Sequence, residues 1–155
     1  MSFSGTISAY KDSCAAFLRT LCNAKDMTRA RDFLAEGCIL VHEDLSPVQG
    51  ADAFIDMWSK NLLSMPEYHK TIIDIVGELG EDKEQGAVLW VYSRISGIPS
   101  ANGQWIDSVD MMKFNVDGKF VYSKDVQRAV ANPDSTLRVK TVWGAQYVST
   151  LFDDR

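Results

Sequence analysis

The residues of this chain that could do chemistry are two histidines and a few acids set inside apolar runs. IDSVDMMKF, from Ile106 to Phe114, places Asp107 and Asp110 in what otherwise reads as a buried strand. A carboxylate facing a dry interior is costly unless it is paired, protonated or used. Strand alternation puts Ile106, Ser108, Asp110, Met112 and Phe114 on one face, and Trp105, Asp107, Val109, Met111 and Lys113 on the other. The first set is apolar apart from Ser108 and Asp110, so Asp110 is expected inward. Asp107 shares its face with Lys113 and is expected in water or in an ion pair. In the next strand Val121, Ser123, Asp125 and Gln127 share a face, which makes Asp125 a second pocket acid or a solvated residue. His42 lies in VHED, with Asp44 on its own face and Glu43 opposite. His69 opens a strand face with Thr71, Ile73 and Ile75, and its apolar company makes it the favoured inward histidine. Carboxylates and a histidine in an apolar cavity perturb one another's pKa and suit proton transfer near neutral pH. The plain structural alternatives are a satisfied acid at Asp110 and partly exposed histidines.

Other chemistries lack their residues. The chain has no GxSxG, no GxGxxG, no phosphate loop and no HExxH. The histidines and acids do not have metal-ligand spacing, so neither a metal nor a cofactor is expected. Cys14, Cys22 and Cys38 form no CxxC and sit in apolar patterns, as buried reduced thiols of a cytoplasmic protein would. A net charge of −5 without a basic run argues against nucleic acid. MSFSGTISAYKD lacks the basic and apolar regions of a signal peptide, and no stretch is long enough for a membrane span. A small-molecule partner is the remaining expectation. Phe17, Trp58, Trp90, Tyr92 and Met112 are the candidates to line its pocket, because aromatic rings can stack on a flat ligand.

The elements that must position these residues follow from periodicity. The 155 residues fit one domain. Apolar spacing predicts a helix over 6–24 and a short second helix from an Asp26 cap through Leu34. A strand over Cys38–Leu45, a loop over Ser46–Gly50 and a third helix over Ala51–Ser64 follow. Alternation then predicts strands over Glu67–Leu79, Gly86–Ile98, Trp105–Val116 and Lys119–Gln127. Helices first and long antiparallel strands after them predict an α+β fold whose sheet wraps the helices around a cavity. Trp143, Tyr147 and Leu151 fall at helical spacing and predict a C-terminal helix.

This order, ending in FNVDGKFV, resembles the NTF2-like superfamily, and more narrowly the SnoaL-like polyketide cyclases and ketosteroid isomerases. VQGADAFIDMW (Val48–Trp58) resembles their loop glycine and third helix. VDMMKFNVDGKFVYSKDV (Val109–Val126) resembles their last two strands and the turn between them. The resemblance covers about residues 8–128 and leaves 129–155 as a C-terminal extension of a single domain. It implies a neutral oxyanion-hole acid at Asp110 and a general base at Asp44. It also implies a homodimer formed through the outer face of the sheet. The family's oxyanion tyrosine falls near Leu18, which cannot donate a hydrogen bond. That argues against a steroid substrate, and leaves His69 or Tyr92 to replace the donor. With its short length, extra C-terminal segment and two histidines, the chain resembles fungal SnoaL-like enzymes that isomerise or cyclise polyketides and meroterpenoids, xanthone-pathway intermediates included. The expectation is therefore an isomerase or cyclase using Asp110 and His69, with Asp44, His42 and Asp125 as alternates. A dehydratase of the same fold and a non-catalytic binding module are the rivals.

Overall fold

The computed structural model describes residues 3–42, 45–81 and 85–130. Helix α1 is Ile7–Leu18. Thr6 caps it by accepting a hydrogen bond from the Ala9 amide at 3.2 Å. Tyr10, Cys14, Phe17 and Leu18 form its buried stripe. The helix then widens into a π-turn, Arg19–Asn23. Asp26 caps α2, Met27–Arg31, by accepting from the Arg29 amide at 3.0 Å. The strands are β1 (Leu34–His42), β2 (Val48–Gln49), β3 (His69–Leu79), β4 (Gln85–Ser96), β5 (Trp105–Asn115) and β6 (Phe120–Val130), with α3 (Ala51–Ser64) between β2 and β3. Third helix and long strands lie close to their expected bounds. The second helix is shorter, because β1 begins at Leu34. The expected loop at 46–50 contains β2. The proposed C-terminal helix lies outside the described residues.

The six strands form one sheet in the order β2-β1-β6-β5-β4-β3. It is mixed rather than wholly antiparallel, because β1 runs parallel to β6. That pairing joins the helical half of the chain to its last described strand, which local alternation cannot reveal. The helices pack on one face of the sheet, here called the inner face. Phe17, Phe54, Phe114 and Phe120 are buried there. The ring centroids of Phe17 and Phe54 lie 5.4 and 5.5 Å from that of Phe120. Burying each such ring contributes roughly 1.5–3 kcal/mol, so this cluster anchors α1 and α3 to the sheet. Gly97, at φ +76°, turns the chain out of β4. A Cβ there would meet the Glu67 carbonyl, so only glycine lets β4 end against the start of β3.

Two irregularities decide which side chains face inward. The β3–β4 register slips between Ile72 and Asp74. The β5–β6 register slips at Lys113/Phe114, after which Asp125 pairs with Asp110, and Gln127 with Ser108. Phe120 therefore faces inward along with Ser123 and Asp125, although simple alternation separates them.

Candidate active site

Between the helices and the inner sheet face lies a cavity of about 320 Å³, within the usual size of small-molecule sites. Its helical wall is largely apolar, with Phe17, Leu18, Leu21, Phe54, Met57 and Trp58, and Asn61 of α3 is a polar member. Its sheet wall carries four ionisable groups, one from each of four strands: His42, Lys70, Asp110 and Asp125.

Two of them form an ion pair. Lys70 Nζ donates to Asp110 Oδ2 at 2.7 Å, and Ser108 Oγ donates to the same oxygen at 3.2 Å. Both partners are buried. Burial pulls the Lys70 pKa down, but the neighbouring Asp110 charge, with Cys22 and Asp125, outweighs it, and the net shift is upward. Lys70 thus stands in the cavity wall as an ammonium. Its backbone is gripped by Asn23, at the end of the π-turn. The Asn23 side-chain amide donates to the Lys70 carbonyl at 2.9 Å and accepts from the Lys70 amide at 2.8 Å. Widened helical turns of this kind often mark functional sites, and here the turn places one amide on the backbone of the buried lysine.

The other two form a dyad. His42 Nδ1 lies 2.7 and 2.8 Å from the two oxygens of Asp125. Gln127 Nε2 donates to Asp125 Oδ2 at 2.8 Å. A carboxylate on Nδ1 selects the tautomer with its proton there, leaving Nε2 as the basic nitrogen. Asp125 therefore orients the ring, and His42 is the group able to take a proton.

The cavity's other titratable groups stay neutral. Burial pushes the Tyr68 phenol up, and the Asp110 charge adds to it. Burial raises the Cys22 thiol to about 11, with Lys70 pulling the other way. Tyr68 and Cys22 both line the cavity.

A model of the SnoaL-like domain matches residues 15–123. The chain belongs to the SnoaL-like family. It is 26% identical over 120 residues to the probable cyclase otaY of Aspergillus niger, covering 77% of this chain and 92% of that protein. Among solved structures it is similar to the epoxide hydrolase/cyclase-like enzyme SalBIII, of pyran ring formation in the polyether salinomycin. That match has a TM-score of 0.60 at 13% identity, over 80% of this chain and 94% of that one. An NTF2-like protein from Cytophaga hutchinsonii matches with a TM-score of 0.57 at 13% identity, over 77% and 89% of the two chains. These likenesses give the SnoaL-like chain its fold, NTF2-like α+β.

Several expected site residues sit elsewhere in this SnoaL-like domain. Asp110, Asp125 and His42 line the cavity, as do Phe17, Trp58 and Met112. His69 does not; it is exposed, and Lys70 points inward instead. The cause is the irregularity in β3: Ile75, whose apolar character vouched for the His69 face, lies beyond the slip and on the opposite side. Trp90 and Tyr92 are corrected too. They project from the outer face, where Trp90 is exposed and Tyr92 donates to Asp107 at 3.0 Å. The inner positions of β4 are filled by Leu89, Val91, Ser93 and Ile95. Asp44 lies outside the described residues. Sequence reasoning passed over Lys70, Tyr68 and Asn23. A signal for the first two was available, since Tyr68, Lys70 and Ile72 alternate opposite His69.

Proposed function

We propose that this SnoaL-like protein is an isomerase or cyclase of fungal secondary metabolism. It moves a proton on a polycyclic ketone or aromatic polyketide intermediate of xanthone type. The observation that carries this reading is the sheet wall: an oriented imidazole and a buried ammonium stand on one side of a cavity whose other walls are largely apolar. His42 Nε2 removes a proton from carbon next to a carbonyl. The C–H electron pair becomes the enolate double bond, and the carbonyl oxygen takes the negative charge. The Lys70 ammonium, held by Asp110, stabilises that oxygen in a water-poor site, where a preorganised charge is most effective. Return of the proton from the imidazolium to another carbon shifts a double bond, return to the opposite face of the same carbon inverts a centre, and ring closure can follow. Lys70 thereby fills the donor role that the family resemblance assigned to a neutral Asp110. The probable-cyclase name of the Aspergillus relative supports the class.

A non-catalytic module is expected to fill its cavity with large side chains, and the open volume weighs against it. A dehydratase would use the same groups but expel hydroxide, so product analysis separates it. The direct test is proton exchange. Wild-type protein in D2O should exchange the α-protons of 1-tetralone, followed by proton NMR. His42→Gln should lower that rate by about 100-fold or more, the usual scale of general base catalysis. Wild-type exchange no faster than buffer defeats the proposal. For assembly, the reading includes a homodimer through the outer sheet face, where Val76, Trp90 and Val126 remain exposed. Light scattering at the mass of a single chain would rule that out.

A further inference from the structure

We infer that the cavity recognises a ketone bearing a hydroxyl on a neighbouring or next-but-one carbon, bound along one edge by Lys70 and Asp110. This rests on the acid–base reading above and adds the substrate class. The argument is an account of unused hydrogen-bonding groups. An ammonium has three donors, and Lys70 uses one, on Asp110 Oδ2. Asp110 accepts from Lys70 and from Ser108, but both bonds fall on Oδ2. Among the described residues no further hydrogen bond reaches Lys70 Nζ or Asp110 Oδ1. Both residues line the cavity, and polar groups left unmatched in a buried wall are costly.

Asp125 differs, because His42 and Gln127 occupy both of its oxygens. The open donor and open acceptor therefore sit side by side on one pair only. A ligand that completes them brings an acceptor for Lys70 beside a donor for Asp110, which is a carbonyl next to a hydroxyl. A plain ketone leaves Asp110 Oδ1 stripped of water and unmatched. A carboxylate brings two acceptors, one of them against Asp110, and finds the Lys70 charge already neutralised. On enolisation the carbonyl oxygen gains its charge beside Lys70, while the hydroxyl keeps its proton and goes on donating a hydrogen bond to Asp110 Oδ1. Recognition and charge stabilisation then use the same edge.

The test is calorimetric binding of four probes to wild-type protein: 2-hydroxy-1-tetralone, 1-tetralone, 2-tetralol and 1-naphthoate. The hydroxy ketone should bind about tenfold or more tighter than any probe lacking one of its oxygens, as expected for a hydrogen bond to a charged group. In Asp110→Leu that gap should close to about twofold or less, with folding checked by thermal melting. If the variant does not fold, the wild-type comparison alone decides. Equal binding of 1-tetralone and 2-hydroxy-1-tetralone by wild type overturns the inference, and so does tightest binding of 1-naphthoate. The deuterium-exchange experiment is scored separately. Exchange without discrimination keeps the reaction and removes this inference. Discrimination without exchange keeps the recognition edge and removes the reaction.

Discussion

Strand β5 carries one buried ion pair on each face, and the two are built differently. On the inner face Asp110 meets Lys70 at 2.7 Å. On the outer face Asp107 meets Arg94, whose Nε lies 2.8 Å from Oδ1. The outer carboxylate also accepts from Arg94 Nη2 at 3.5 Å and from the Tyr92 hydroxyl at 3.0 Å, both on Oδ2. The Arg94 guanidinium lies 5.9 Å from the centroid of the Trp105 ring. Both oxygens of Asp107 are therefore engaged, by a planar fork and a phenol, and neither Asp107 nor Arg94 lines the cavity described above. The inner pair uses a single point-charge donor, keeps an oxygen open and borders the cavity. A guanidinium fork suits closed, fixed pairing, whereas an ammonium leaves donors over for a third party. One strand thus carries an ion pair with both carboxylate oxygens engaged beside one that leaves an oxygen open at a cavity.

The largest expected effect separates the two faces outright. The double replacement Lys70→Met with Asp110→Leu should abolish catalysis, by about 100-fold or more in kcat. Its melting temperature should hold or rise, because apolar pairs often replace buried ion pairs without loss. Arg94→Met should do the reverse: a stability loss of about 3 kcal/mol from stranding Asp107, with kcat close to wild type. Turnover and thermal melting on the same samples check both, and a matched loss of activity in both variants would erase the distinction.

A smaller effect is expected at Asn23. Asn23→Ala should lower kcat by about tenfold, the scale of one positioning contact, with little change in KM, because Lys70 loses its backbone grip while the cavity keeps its walls. Steady-state kinetics would show this, and a change confined to KM would refute it. The mildest expectation concerns alkaline pH. The folded pKa of Lys70 is raised, so the stability it contributes is present below its ordinary value of 10.5 and is lost as pH rises through the folded value. The alkaline limb of kcat/KM, if Lys70 sets it, therefore lies above that ordinary value. A limb centred near pH 9 would assign it to another group.

The same contrast explains what could be read from the sequence. Asp110 and Asp107 sort correctly by alternation because β5 keeps its pairing with β4 unbroken from Ala87 to Ile95. His69 was misplaced because one slip in β3 moved the apolar residues beyond it to the other side. Lys70 escaped notice because a lysine in a strand reads as surface until its partner is known. Trp90 and Tyr92 were candidates because their rings can stack on a ligand, and alternation could not say which face of β4 they share, while its inner face holds smaller side chains. The His42–Asp125 dyad depends on a parallel pairing between distant segments, and no local pattern encodes it.

That parallel pairing has a consequence for how the protein is made. The His42–Asp125 contact spans 83 positions of sequence. Strand β1 is synthesised early, yet its main partner β6 is the last described strand to leave the ribosome. Contacts of such separation form slowly, since chain entropy is lost before they are gained. Until they form, the dyad has no second half. A nascent chain can hold its helices and the β3–β4–β5 meander and still have no proton-transfer machinery. Competence should arrive all at once, with the closing of the sheet.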